Sequence, residues 1–280
     1  MNETRLPTYF ISHGGGPWPY VPEMRARMQV LEASLADIPR QIGTVPRAVL
    51  MVSGHWEAPE FRVMGNPNPP MVYDYHGFPA HTYSVRYQAP GAPEIARRVQ
   101  QLAQAAGIVA SIDAQQGFDH GTFAPLAVMY PQADVPVLQL SLKSGYDPAQ
   151  HLAMGRALAP LRDEGVLIIA SGLSYHNLRS MGPAARLPST QFDDWLQQAL
   201  IASPPAQRTA YLLEWDQAPA ARQAHPSEDH LIPLMVAVGA AQDETATLVY
   251  HEEGVFGGMT ASSFRFGKGA TPAASGLQTP

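Results

Sequence analysis

Short apolar segments of strand length alternate along this chain with longer segments of helical periodicity. Glycine, proline or polar residues bound each apolar segment, as is typical of buried strands. The strand candidates are residues 8–11, 47–53, 61–64, 135–142 and 165–171, and the helix candidates are residues 23–38, 92–106 and 148–163. This alternation predicts an α/β fold with a central, largely parallel or mixed sheet flanked by helices.

The last third of the chain has a weaker pattern. It predicts a helix over residues 192–201, a second helix that begins with Ser227 as its N-cap, and a strand over residues 247–250. Residues 267–280 contain Gly, Ala, Ser, Thr and Pro without periodicity, and we expect them to form a disordered tail. Residues 1–266 are therefore predicted to form a single domain.

The composition narrows the classes of partner and of site. A net charge of -6, without a cluster of Lys and Arg, is unlike the basic surface that nucleic acid requires, so we expect no such partner. No secretion signal and no apolar segment of membrane-spanning length are present, which predicts a cytoplasmic protein without membrane contact. Because the chain has no cysteine, any metal must be bound by His, Asp or Glu.

Four of the ten histidines follow a predicted strand or begin a predicted helix. His13, His55 and His176 lie at or just beyond strand ends, where ligands collect in open α/β sheets, and His230 lies near the predicted helix start at Ser227. A single loop histidine is most often only solvated, but four in equivalent positions favour a shared metal or catalytic site at one end of the sheet. His120 follows Asp119, and this pair is either a catalytic pair or a helix N-cap.

Seven ordered sequence blocks resemble the DODA-type extradiol dioxygenases, relatives of the catalytic subunit of protocatechuate 4,5-dioxygenase. The resemblance extends from about Thr8 to Phe266. The blocks are SHGGGP (12–17), SGHWE (53–57), HGFP (76–79), FDHGTFAPL (118–126), PVLQLSL (136–142), ASGLSYHNLR (170–179) and EDHLIPL (228–234).

This resemblance implies a role for each of five histidines. His13 and His55 match the family's two metal-binding histidines, and His230 is the third ligand that the EDHLIPL block offers. His176 matches the histidine assigned as acid/base, or as a further ligand in zinc-bound members. His120 matches the histidine that lines the substrate pocket.

The resemblance leaves the third ligand and the metal open. Protocatechuate-type relatives use two histidines and a carboxylate, the usual facial triad of non-haem Fe(II), whereas His230 makes a set of three imidazoles. Glu228 or Asp229 is the alternative ligand. Fe(II) is the implied cofactor, and Zn(II) also suits three imidazoles and is expected as a contaminant of the purified protein.

The implied reaction is extradiol cleavage, in which O2 opens a catechol ring beside its two hydroxyl-bearing carbons. Tyr175, Trp18 and Trp56 are predicted to form an apolar wall against the ring. The aromatic, proline-rich loop of residues 67–81, which includes Tyr75 and Phe78, is predicted to complete the wall and to select the substrate; an ordinary surface loop is the alternative.

Two other functions fit the same residues. A zinc hydrolase would use these histidines to activate water, and O2 consumption distinguishes it from a dioxygenase. A binding module without catalysis is the other alternative, although this chain retains all five histidines. Neither the particular catechol nor the oligomeric state follows from the sequence.

Overall fold

A computed structural model describes residues 5–269, and an eight-stranded mixed sheet is its centre. The strands are β1 (Thr8–Ser12), β2 (Ala48–Ala58), β3 (Phe61–Met64), β4 (Ala110–Asp113), β5 (Val137–Lys143), β6 (Val166–Gly172), β7 (Ala246–Val255) and β8 (Met259–Phe266). Their order across the sheet is β4-β3-β5-β2-β6-β1-β8-β7. The predicted α/β fold is confirmed.

The middle of the sheet consists of four parallel strands, β5, β2, β6 and β1. Every residue of β6 is buried, and since successive residues point to opposite faces, both faces of the sheet are covered. Ser171 of β6 pairs with Ile11 of β1 on one side and with Ser53 of β2 on the other. The carboxyl ends of these three strands therefore lie side by side.

The helices are α1 (Pro22–Arg27), α2 (Gln29–Ile42), α3 (Pro93–Ala105), α4 (His120–Met129), α5 (Pro148–Leu158), α6 (Arg186–Gln197), α7 (Pro205–Leu213), α8 (Ala221–Ala224) and α9 (Pro233–Ala241). α9 packs against α5 and against β6, and all of its residues are buried. α9 is thus a central layer between the sheet and α5, which fixes the position of the turn that precedes it.

The helix predicted over residues 23–38 is wrong in two respects. The backbone breaks at Met28, between α1 and α2, and α2 then continues through Pro39 to a left-handed Gly43 with φ 71°. Pro39 removes one backbone hydrogen bond, but it lies in the last turns, where burial of Ile38 and Ile42 on the core face offsets that loss.

The predicted N-cap at Ser227 is also wrong. Residues 226–232 form bends and turns, and the helix begins only at Pro233. Proline is favoured at a first helical position because its missing N–H would have no partner within the helix. His230 therefore belongs to the turn before α9 and not to a first helical turn.

The hairpin of β7 and β8 extends well beyond the single strand predicted over residues 247–250. β8 was not predicted because its buried positions include serines rather than a continuous apolar run. Two of these serines are satisfied by neighbours: Ser263 Oγ accepts from the backbone N–H of Ser12, and the N–H of Ser262 donates to Ser174 Oγ. A strand whose buried positions hold hydrogen-bonded polar residues lacks the apolar run by which strands are recognised in a sequence.

Most of the predicted tail, residues 270–280, lies outside the described residues. Within the described part of that tail, the N–H of Gly267 donates to the carbonyl of Thr245. The single-domain assignment stays a prediction. Across residues 5–269, the helices are all too short or too polar to cross a bilayer.

Candidate active site

Three histidines from distant parts of the chain meet at the carboxyl edge of the parallel strands. His13 follows β1, His55 lies on β2, and His230 lies in the turn before α9. Nε2 of His55 is 3.3 Å from Nε2 of His13 and 3.1 Å from Nε2 of His230. The structure thus brings together the three residues predicted as metal ligands.

Close backbone packing holds the His230 turn against the sheet. The N–H of Leu173 donates to the carbonyl of His230 at 3.1 Å. A Cβ on Gly172, the last residue of β6, would lie 2.0 Å from that same carbonyl oxygen, so only glycine permits this approach. Gly172 of the ASGLSYHNLR block therefore has a packing role next to the site.

His55 was predicted to follow its strand, but it lies within β2, which continues to Ala58. The pairing of β2 with β5 shifts register between Val52 and Glu57. Such an irregularity redirects side chains and is common beside active sites. It accounts for the inward direction of His55 from within a strand.

The trio fits one divalent metal ion. Nε2 of a neutral imidazole carries either one hydrogen or one lone pair, so Nε2 of His55 can form a hydrogen bond to only one of its two neighbours, whereas one metal ion can bind the lone pairs of all three rings. Two nitrogens bound to one ion at about 2.0 to 2.1 Å lie about 2.8 to 3.4 Å apart for angles of about 90° to 110°. The observed spacings of 3.1 and 3.3 Å fall in that range.

Burial keeps these imidazoles in the neutral form that binds metals. Loss of hydration lowers the pKa of His13 and of His230 well below the usual value, and the neighbouring histidines lower both further. The pKa of His55 is lowered to about 3, first by burial and then by His120, although Asp74 opposes this shift. Protons therefore do not compete for these nitrogens at neutral pH.

Two carboxylates lie behind the histidines. Oδ2 of Asp74 is 3.3 Å from Nδ1 of His55, and Oδ2 of Asp229 is 3.0 Å from Nδ1 of His230. Both contacts are to the ring nitrogen that faces away from the trio, which is where orienting carboxylates lie in metal sites. Glu228, the other alternative ligand, instead forms an ion pair with Arg222 at 2.7 Å.

Asp74 also fixes His120. Its Oδ1 accepts from the backbone N–H of His120 at 3.0 Å and lies 2.9 Å from Nδ1 of the ring. Burial alone would raise the pKa of Asp74, but the hydrogen bonds and charge of His120 and His55 outweigh it, and the pKa is lowered. One carboxylate thus links a candidate ligand with a candidate substrate-contacting histidine.

Asp119 is a helix N-cap, which was one of its two predicted roles. Its Oδ1 accepts from the N–H of Thr122 at the start of α4 and from the hydroxyl of Ser53. Its Oδ2 accepts from the amide of Gln139. Burial raises the pKa of Asp119 to about 6, with a further contribution from the charge of Asp74. The network anchors His120 at the first position of α4.

His176 stacks on His230 with ring centroids 3.4 Å apart and planes 17° apart. Its Nδ1 is 3.9 Å from Oδ1 of Asp229, beyond hydrogen-bond distance. Burial lowers the pKa of His176, and the charge of Asp229 opposes that shift. His176, Asp229 and His230 also place donor atoms within 4.8 Å of one another, so His176 as a fourth ligand remains the alternative to a base.

These histidines open into a cavity of about 460 Å³. Tyr75, Phe78 and Tyr175 line it, as predicted for residues of the substrate wall. The phenol of Tyr75 donates to the carbonyl of Thr82, and that of Tyr175 donates to the carbonyl of Ser180. With their hydroxyls occupied, both tyrosines present mainly their rings to the cavity.

Trp18 and Trp56 are not among the described residues that line the cavity, and this part of the predicted wall is corrected. Trp18 is fully buried, and its Nε1 donates to the carbonyl of His13 at 2.7 Å. Trp56 lies in the hydrophobic core. Because the buried indole of Trp18 is hydrogen-bonded to the backbone of His13, it is not available to stack on a substrate.

The loop of residues 67–81 contributes residues to two different surface depressions. Asp74, Tyr75 and Phe78 line the cavity, whereas residues 68–71 and Tyr73 line a separate groove with Arg86. Sequence reasoning missed Asp74, whose only signal is a lone acidic residue among tyrosines. It also missed Phe256, a cavity residue at the tip of the β7–β8 hairpin with φ 50°, which only the fold brings to the site.

Comparison with known proteins agrees with this geometry. Residues 7–267 match the family described as the catalytic LigB subunit of aromatic ring-opening dioxygenase. A Beta vulgaris protein named 4,5-DOPA dioxygenase extradiol is 38% identical over 263 residues, which cover 92% of this chain and 96% of the relative. An Escherichia coli K12 protein of the same name is 34% identical over 276 residues, covering 95% and 97%.

A solved structure is similar as well. The crystal structure of an uncharacterized Escherichia coli K12 protein aligns with a TM-score of 0.76 at 30% identity, covering 94% of this chain and all of that one. These matches support ring cleavage and give no support to the zinc hydrolase. The chain belongs to the LigB family of aromatic ring-opening dioxygenases and is a class III extradiol dioxygenase.

Proposed function

We propose that this enzyme cleaves a catechol with O2 at a single Fe(II) bound by His13, His55 and His230. The observation that carries the proposal is the meeting of three Nε2 atoms, 3.1 and 3.3 Å apart, at one end of a cavity with aromatic walls. Zn(II) fits the same donors and is expected to displace iron during purification, but it has no redox chemistry and would not support cleavage.

Bound Fe(II) would act as a Lewis acid toward the catechol and relay electrons from the catechol ring to O2, which is thereby activated. The protein would position the ring. Tyr75, Phe78 and Tyr175 offer aromatic surfaces to it, and their hydrogen bonds or mutual packing hold them in place. Rigid aromatic walls orient a flat substrate at low entropic cost.

His176 is proposed as the acid/base. It would take a proton from a catechol hydroxyl at Nε2 and return it during ring opening. Asp229, 3.9 Å from Nδ1, would stabilise the protonated ring by its charge. Stacking on His230 fixes the plane of the imidazole.

His120 is proposed to form a hydrogen bond to the substrate oxygens through Nε2. Asp74 engages Nδ1, so the second ring nitrogen is the one available to the cavity. The N-cap at Asp119 fixes the start of the helix that carries this residue.

DOPA is the first substrate to test, because relatives of this chain carry the name 4,5-DOPA dioxygenase extradiol. The protein is loaded with Fe(II) without oxygen and then mixed with oxygenated DOPA or other catechols. We expect stoichiometric O2 uptake and a yellow ring-opened product, with no turnover by the Zn(II)-loaded protein. Absence of O2 uptake with every catechol would contradict the proposal.

A further inference from the structure

Among residues 5–269, no Lys or Arg side chain lines the active-site cavity. Two carboxylates, those of Asp74 and Asp229, lie on the walls together with the histidines. Most remaining wall residues are apolar, and the larger ones beyond the tyrosines are Met24, Phe78, Leu173, Met181, Phe256 and Met259. A substituent on the catechol ring therefore meets a mostly apolar surface without Lys or Arg.

Three arginines near the site do not supply a cation to the cavity wall. Arg179, three residues after His176, is exposed and is not a wall residue. Arg222 is paired with Glu228. Arg27 lines an adjoining cavity on the far side of Met24 and Phe256, so only a long substituent could reach it.

We propose that the enzyme discriminates against catechols that carry a carboxylate directly on the ring and favours those whose substituent is uncharged or cationic. This rests on the proposed function. A carboxylate inside the cavity would lose its hydration, find no Lys or Arg to pair with and be repelled by Asp74 and Asp229.

The effect depends on the length of the substituent. Leu178 and Phe256 are 70% and 38% exposed where the cavity reaches the surface, so a substituent of several carbons can carry its charge into solvent. DOPA, whose ammonium and carboxylate are separated from the ring by carbon atoms, belongs to the accepted class. A carboxylate on the ring itself cannot reach water in the same way.

The test compares acids with their uncharged amides at two lengths. The Fe(II)-loaded enzyme is assayed for kcat/KM with 3,4-dihydroxybenzoate and 3,4-dihydroxybenzamide, and with 3,4-dihydroxyphenylpropionate and its amide. We expect a preference for the amide of about 100-fold in the short pair and of less than about 5-fold in the long pair, as burial of an unpaired charge predicts. Anaerobic titration, read by the catecholate difference spectrum, should give the same order of binding.

Equal kcat/KM for the short acid and its amide would overturn the inference. If neither these four compounds nor DOPA is cleaved or bound, the proposed function itself has failed, and the two failures are thereby distinguished.

A cation placed on the wall gives an independent test. Met181→Lys should lower the ratio of amide to acid in the short pair about 10-fold relative to the matched, uncharged variant Met181→Gln, because the ammonium pairs with the carboxylate. The ratio within each variant cancels any general loss of activity. The same ratio in both variants would show that a missing cation is not the cause of the discrimination.

Discussion

Replacing Asp74 by Asn tests whether one carboxylate organises both the proposed metal ligand His55 and the cavity residue His120. The change keeps the size of the side chain and one oxygen, but it removes the charge and puts an amide N–H₂ where the second oxygen was. Oδ1 bonds to the backbone and ring of His120, and Oδ2 lies 3.3 Å from Nδ1 of His55. An amide can satisfy only one of these rings.

The size of the effect follows from these contacts. Loss of a carboxylate behind a metal-binding histidine typically weakens metal binding about 10- to 100-fold, which corresponds to about 1.4 to 2.7 kcal/mol. The contact with His55 is close but is not an aligned hydrogen bond, so we expect the lower half of that range. A charge-assisted hydrogen bond to His120, worth about 1.5 to 3 kcal/mol, is lost or weakened as well.

The assay is a competition titration of the metal-free protein with Zn(II) against a chromophoric chelator, with circular dichroism as a check of folding. Asp113→Asn is the matched control, because Asp113 accepts two backbone N–H bonds and pairs with Arg62 at the end of β4, away from the site. We expect weaker Zn(II) binding in the Asp74 variant alone. Wild-type affinity in the folded Asp74→Asn protein would refute an orienting role for the carboxylate.

Three further changes test other parts of the structure. His176→Ala should keep bound metal but lower kcat about 10²- to 10⁴-fold, as expected for loss of an acid/base, and loss of metal on elemental analysis would instead make it a ligand. Tyr75→Ala with Phe78→Ala should change the ratio of kcat/KM among catechols at unchanged iron content, and an equal loss for all catechols would exclude selection by this wall. Arg162→Ala should lower the free energy of unfolding by about 3 to 5 kcal/mol, since this buried guanidinium bonds two carbonyls and Glu244; a melting temperature near that of the wild type would contradict this.

The sequence predicted the parallel core of the sheet because its strands are apolar on both faces. The prediction from sequence failed for a strand with polar residues at buried positions and for a helix that continues through a proline. β8 contains buried serines whose partners lie in other segments, and α2 continues through Pro39 because packing outweighs the local cost.

The histidines were predictable because parallel strands place their carboxyl ends at one edge and because the sequence blocks match a known family, whereas the functions of neighbouring residues were not predictable. Trp18 and Trp56 are aromatic, as residues of a substrate wall would be, yet both are buried and neither is among the described residues that line the cavity. Asp74 and Phe256 contribute to the site only because a loop and a hairpin distant in sequence fold over it.

By itself, then, the sequence determined the α/β class through its periodicity, and it indicated which imidazoles meet through histidines near predicted strand ends and through sequence blocks that match a known family. Only the tertiary structure decided which side chains and backbone atoms contact those imidazoles. Contacts such as Asp74 with His55 and His120, the close approach of Gly172 to His230, and the absence of a cation among the described wall residues depend on atoms brought together from separate segments. No local pattern encodes such distances, because they are set by how the helices and loops pack against the sheet.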